Sequence, residues 1–182
     1  SLGTALTEIR YFSEASVAAA RICSRIDRIS EIDGEDTKKG FIPREKMKGR
    51  VEFESVTFVY PSRPKSIILK DFTLTADVGQ SVALMGASGS GKSTIIALLQ
   101  RFYDPCEGFV RIDRFDIKTL QLKWMRQHIG VVSQDHALFG TSIRENLKFG
   151  KDKASMDEVI SAAKAANAHG FITQLPNGYD TH

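Results

Sequence analysis

The chain of 182 residues has only two cysteines, Cys23 and Cys106, far apart and without CxxC spacing. No disulfide framework or zinc site follows from them, and a reducing, cytosolic setting fits. No apolar run reaches the length of about 18 residues that a membrane-crossing helix needs, and no signal-peptide pattern is present. An excess of one charge is also missing. There are 25 Lys and Arg against 22 Asp and Glu, a net of +3. With no basic patch interleaved with aromatics, that balance leaves no footprint for nucleic acid. His128, His136, His169 and His182 show no metal-ligand spacing, and no internal repeat or low-complexity tract occurs. What the chain does have is an average globular composition, 42% hydrophobic and 26% charged. That suffices for one ordinary domain with an appendage.

Residues 1–30 read as a long N-terminal helix. Ile9, Phe12, Ser16, Ala19 and Ala20 share one face, and Ile22, Ile26 and Ile29 continue it. Such a stripe needs a partner to cover it. Residues 31–49 switch from acidic to basic and contain Gly and Pro, which suits a solvated linker. From Arg50 the texture changes. Residues 51–54 alternate like a half-buried strand, residues 56–60 follow, and residues 69–76 alternate again. Residues 81–85 and 129–133 are short continuous apolar runs, the signature of strands buried on both faces. Phe109 to Ile112 is a further short strand. Helices are expected over 92–102, 122–128, 143–147 and 155–169. Strands mixed with helices after residue 50 indicate an α/β core over 50–182. Trp124 and Met125 read as core, and Asp113 and Asp116 bracket a turn.

Gly86-Ala87-Ser88-Gly89-Ser90-Gly91-Lys92-Ser93, followed by Thr94, satisfies G-x-x-x-x-G-K-[ST] at every fixed position. The glycines let the backbone take conformations closed to residues with a side chain, so that successive N–H groups converge as an anion nest. The helix beginning near Lys92 adds the positive end of its dipole. Lys92 can reach outer phosphates as a point charge, and the Ser93 hydroxyl can ligate Mg²⁺. The spacing signals a nucleotide phosphate site. It does not by itself separate ATPase, GTPase and kinase.

The residues around this loop make that separation. In its stretches 51–64, 69–72, 86–105, 124–140, 143–150 and 162–178 the chain resembles the nucleotide-binding domains of ABC transporters. Within these it resembles the B subfamily of multidrug-resistance or P-glycoprotein type, in order and spacing most like its plant members. The resemblance implies a partial P-loop NTPase core with an antiparallel β subdomain and the start of a helical subdomain. Residues 1–49 resemble the end of the last transmembrane helix and its cytosolic extension. Tyr60, in Phe58-Val59-Tyr60-Pro61-Ser62-Arg63-Pro64, matches the A-loop aromatic that stacks on adenine. Gln134 matches the Q-loop glutamine, whose carbonyl touches Mg²⁺ or the attacking water. Ile143-Arg144-Glu145-Asn146-Leu147 matches the segment facing the transmembrane coupling helices.

The resemblance therefore implies ATP and Mg²⁺ as ligands and a second nucleotide-binding domain as head-to-tail partner. It also implies transmembrane domains of the same transporter, with this portion on the cytosolic face of a membrane. The departures are as informative. The chain contains no Leu-Ser-Gly-Gly-Gln signature, no Walker B stretch with its catalytic glutamate, and no switch histidine. Phe109-Val110-Arg111-Ile112-Asp113 has the outline of a Walker B strand, but Arg111 breaks the apolar run and its place in the order is wrong. Catalytic residues are thus expected to be absent, leaving a fragment that binds ATP without hydrolysing it. The alternative is a non-catalytic, truncated nucleotide-binding module. Arg114 stands where the family usually has Gly, so its turn must avoid positive φ or bear strain.

Overall fold

The computed structural model describes residues 2–28, 30, 32–34, 36, 38–133, 137–151 and 153–182, with the backbone alone for residues 2–10. Two units form, one up to Gly130 and one from Val131. The first begins with α1 (Leu2–Ile26). Its described side chains are all exposed, among them Tyr11, Phe12, Val17, Ile22 and Ile26. The apolar stripe that the sequence shows therefore stays uncovered among the described residues.

β1 (Val51–Val59), β2 (Ile67–Ala76), β3 (Glu107–Ile112) and β4 (Phe115–Asp116) make one antiparallel sheet in the order β2-β1-β3-β4. The two alternating stretches 51–54 and 56–60 join into one strand. The join is a bulge at Ser55, where φ is +47° and the register shifts. A bulge takes amides off the ladder and leaves them to other partners. Threonine hydroxyls serve here. Ser55 N donates to Thr73 Oγ1 at 3.1 Å and Asp71 N to Thr57 Oγ1 at 3.3 Å. Across the bulge, a Cβ on Gly108 would lie 2.3 Å from Glu54 O, so β3 can approach only because that residue is glycine.

Period-2 alternation resumes on either side of the bulge and turns Phe53, Val56, Phe58, Val110 and Ile112 to one face. That face packs with Leu69, with Ile95 and Leu98 of α2 (Lys92–Leu99), and with Leu122 and Met125 of α3 (Leu122–Gln127). Each such side chain taken from water contributes about 1.5–3 kcal/mol. β3 and β4 turn over two residues, Asp113 and Arg114, with φ +49° and +68°. Positive φ at both places is the requirement of a type I′ hairpin. Arg114 thus bears the left-handed backbone that the sequence raises as one of two outcomes.

The linker over 31–49 departs from a free solvated connector. Its described side chains are mostly exposed, but its backbone is tied down twice. Phe41 forms a parallel bridge with Leu120, through Phe41 N to Thr119 O and Gln121 N to Phe41 O, both 3.0 Å. Farther on, the Asp113 carboxylate accepts from three consecutive amides, Lys48 at 2.6 Å, Gly49 at 3.0 Å and Arg50 at 2.9 Å. Charge and glycine content report solvation and cannot reveal such anchors.

Two expectations fail. Residues 81–85 and 129–133 form no strand. Met85 is 92% exposed and Val132 96%. An apolar run becomes an inner parallel strand only when neighbours pair its backbone on both edges. Among the described residues none is placed beside either run. The observed sheet is therefore the antiparallel part of the expected α/β core, without its parallel layer.

The second unit holds α4 (Ile143–Lys148), α5 (Met156–Ala165), α6 (His169–Gln174) and a short 3₁₀ turn, Gly178–Asp180. α5 starts in a reciprocal capping box between Ser155 and Glu158. The expected helix over 155–169 breaks at Asn167, which has φ +56°. Asn146 organises the approach to α4. Its carboxamide nitrogen donates to the carbonyls of Phe139, Thr141 and Ser142, and its oxygen accepts from Phe139 N.

Candidate functional site

The phosphate loop leads into the N-terminus of α2, where Gly91 lies against Ile68 and Leu69 of β2. Gly91 caps α2 with φ +92°, a value that favours glycine, and no side chain caps the helix start. A Cβ there would meet Leu69 Cδ2 at 2.9 Å, so the Leu69 side chain on β2 would have to shift to admit one. The first amides of α2 consequently have no capping side chain, and the helix presents its positive end to the loop. Ser90 N closes a turn on Ala87 O at 3.2 Å. Lys92 bends back over this turn. Its ammonium donates to Gly86 O at 2.8 Å, Ala87 O at 2.7 Å and Ser90 Oγ at 3.2 Å. One cation is thereby held over the loop that leads into α2.

Tyr60 follows directly on β1. Phe58 and Tyr103 meet its ring edge-on, at 5.0 Å and 5.3 Å between centroids. Its hydroxyl is 2.9 Å from Thr94 Oγ1, and Thr94 is 4% exposed. The aromatic strand end and the first turn of α2 are therefore one hydrogen-bonded assembly. Together they line a cavity of about 510 Å³ to which Ser88, Gly89, Gly91, Lys92 and Ser93 also contribute.

Of the residues singled out in sequence, the structure brings Tyr60, Ser88, Gly89, Gly91, Lys92, Ser93 and Thr94 to one cavity, with Gly86, Ala87 and Ser90 bound to Lys92. Gln134 lies outside the described residues. Sequence reasoning missed Ser62 and Arg63, which line the same cavity. Their signal was their place in the turn after Tyr60, where Arg63 N bonds Tyr60 O at 2.8 Å. It also missed Arg126, which caps the far end of α2. Arg126 Nε donates to Gln100 O and Nη2 to Arg101 O, each at 3.0 Å, and its guanidinium lies 4.9 Å from the Phe102 ring centroid. Burial and the neighbouring charge of Arg101 lower its pKa from the ordinary arginine value.

The residues fit a nucleoside triphosphate. Uncapped helix amides and a lysine suit phosphates, and an aromatic ring across the cavity suits a base. No cluster of three or more His, Cys, Asp or Glu suited to a metal occurs among the described residues. A metal held here would be of the hydroxyl-and-phosphate kind, to which Ser93 can contribute and in which magnesium keeps several waters.

A glycine turn closing on a helix with uncapped amides, under a lysine, defines a P-loop nucleotide-binding protein. The ABC transporter family model matches residues 69–179, well over half of the chain, and the chain belongs to that family. It is 93% identical over all 182 residues to the Putative ABC transporter B family member 8 of Arabidopsis thaliana. It is 53% identical over 181 residues to ABC transporter B family member 15 of the same plant, and 54% to member 16. The chain spans 15% of the length of the first of these relatives and 14% of the second.

Proposed function

We propose that this chain binds Mg-ATP as part of the nucleotide-binding domain of a transporter that moves small molecules across a membrane. The observation that carries the reading is the single cavity shared by Tyr60, Lys92 and the uncapped start of α2. The amides of Gly89, Gly91 and Lys92 cradle the phosphates. Lys92 exchanges its carbonyl partners in the loop for phosphate oxygens. Ser93 supplies a hydroxyl to the magnesium ion, with Gln134 as the second protein group near it. Tyr60, held upright by Thr94, offers its ring to adenine.

Hydrolysis needs more than this. It requires a metal-holding acid, a positioned water and stabilisation of the transferring phosphoryl group. The sequence has no Walker B acid and no signature motif, so the chain by itself binds without turning over. The missing groups come from the rest of the domain and from a second nucleotide-binding domain arranged head-to-tail. The transmembrane domains complete the transporter, with this portion on the cytosolic side.

Calorimetric titration with Mg-ATP tests the reading. The expected result is saturable binding that weakens by about tenfold or more in Lys92→Ala, which is about 1.4 kcal/mol. A folded chain that binds no ATP, or binds it equally well without Lys92, overturns it. ATP hydrolysis abolished by Lys92→Ala overturns the non-catalytic part alone.

A further inference from the structure

A second cavity lies under the linker, with none of its lining shared with the phosphate site. Residues 43–48 cross the sheet as a strap between the two anchors, the Phe41 bridge and the Asp113 carboxylate. Beneath them is a cavity of about 330 Å³. That volume is within the range of small-molecule sites, though at its lower end. Met47, Ile112, Phe115 and Trp124 give it apolar and aromatic walls.

Its charges are unequally spent. Arg114 pairs with Glu45 at 3.1 Å, and Arg50 pairs with Glu52 at 2.9 Å and Asp77 at 3.3 Å. The Asp113 carboxylate is turned to backbone amides. Lys48 lies near enough to Asp113 to lower its pKa. Lys46 lines the cavity with no ion pair or hydrogen bond among the described residues. The carboxylates are thus occupied while one ammonium in a lining that also holds Phe115 and Trp124 is left over.

We propose that this cavity is a binding site for a small aromatic carboxylate. The ring packs against Trp124 and Phe115, and the carboxylate meets Lys46 at the strap. Because the strap forms the roof, a ligand here and the docking of the linker favour each other. Any such coupling is reciprocal. Loosening the strap at Asp113 therefore weakens the ligand.

Trp124 is the chain's single tryptophan, so its fluorescence reads the site directly. The probe is 3-phenylpropanoate, with 3-phenylpropanamide as its uncharged counterpart, each titrated into the full chain. The expected result is a saturable change in Trp124 emission, with the amide about fivefold weaker than the acid, as one half-solvated ion pair allows. Lys46→Gln reduces acid binding to the level of the amide and leaves the amide unchanged. Asp113→Asn weakens both. Lys92→Ala and saturating Mg-ATP change neither, which separates failure of this site from failure of the ATP reading. Equal binding of acid and amide, an unaltered response in Lys46→Gln, or no saturable signal from a folded chain overturns the proposal.

Discussion

Replacing Asp113 with asparagine removes the charge from a group that gathers three amides of the linker. Lys48, Gly49 and Arg50 donate to its two oxygens at 2.6 to 3.0 Å, across more than 60 residues of chain. Hydrogen bonds to a charged acceptor contribute about 1.5–3 kcal/mol each where water is excluded. Here the carboxylate is half-exposed, and asparagine keeps one acceptor oxygen, so the whole change should cost only about 1–2 kcal/mol. Burial raises the Asp113 pKa, but the amides of Arg50, Lys48 and Gly49, together with the charge of Lys48, outweigh it. The carboxyl therefore ends below its ordinary value of 3.8. A depressed carboxyl pKa contributes stability that is present above the unfolded value and lost as pH falls through the folded one. Urea unfolding followed by Trp124 fluorescence measures this. Wild type should exceed Asp113→Asn by about 1–2 kcal/mol from pH 7 down to about pH 4, and the gap should close on further acidification. An equally stable variant at neutral pH would refute the clamp. A gap that does not narrow on acidification would refute its ionic character.

Arg114→Gly should stabilise the hairpin by about 1 kcal/mol, because φ +68° strains any residue with a Cβ; the same urea titration checks it. Gly91→Ala places a Cβ 2.9 Å from Leu69 Cδ2 at φ +92°. It should cost about 1–2 kcal/mol of stability and weaken ATP in calorimetry, and unchanged ATP affinity would contradict the placement of the phosphate site. Tyr60→Phe removes the hydroxyl bonded to buried Thr94 and should cost about 1 kcal/mol while ATP affinity holds, since the ring survives. Tyr60→Ala should weaken ATP in the same calorimetric titration, and a variant that binds as wild type does would rule out adenine stacking.

Local chemistry determined much of the site. The loop around Lys92 was legible because its glycines, lysine and hydroxyl are neighbours in sequence, and their spacing alone implies converging amides. Residues 51–54 and 69–76 were legible as strands through alternation, which reports a face, and 56–60 and 109–112 as short strands beside them. The bulge at Ser55 was not, since it depends on threonine hydroxyls exchanged between β1 and β2, Thr73 for Ser55 and Thr57 for Asp71. Residues 81–85 and 129–133 mark where such reasoning stops. Their apolar runs state a preference for burial, whereas strand formation depends on partners for the backbone, which the structure does not place beside them.

The sequence by itself determined the chemistry of the phosphate loop and the inward face of the sheet, because both arise from residues a few positions apart. Only the tertiary structure decided that Tyr60 leans on Thr94, that Arg126 closes the far end of α2, and that Asp113 ties down the linker that roofs a second cavity. Those contacts join residues 25 to 65 positions apart. No periodicity encodes such separations, because they exist only once the packed core has brought the strands and helices together.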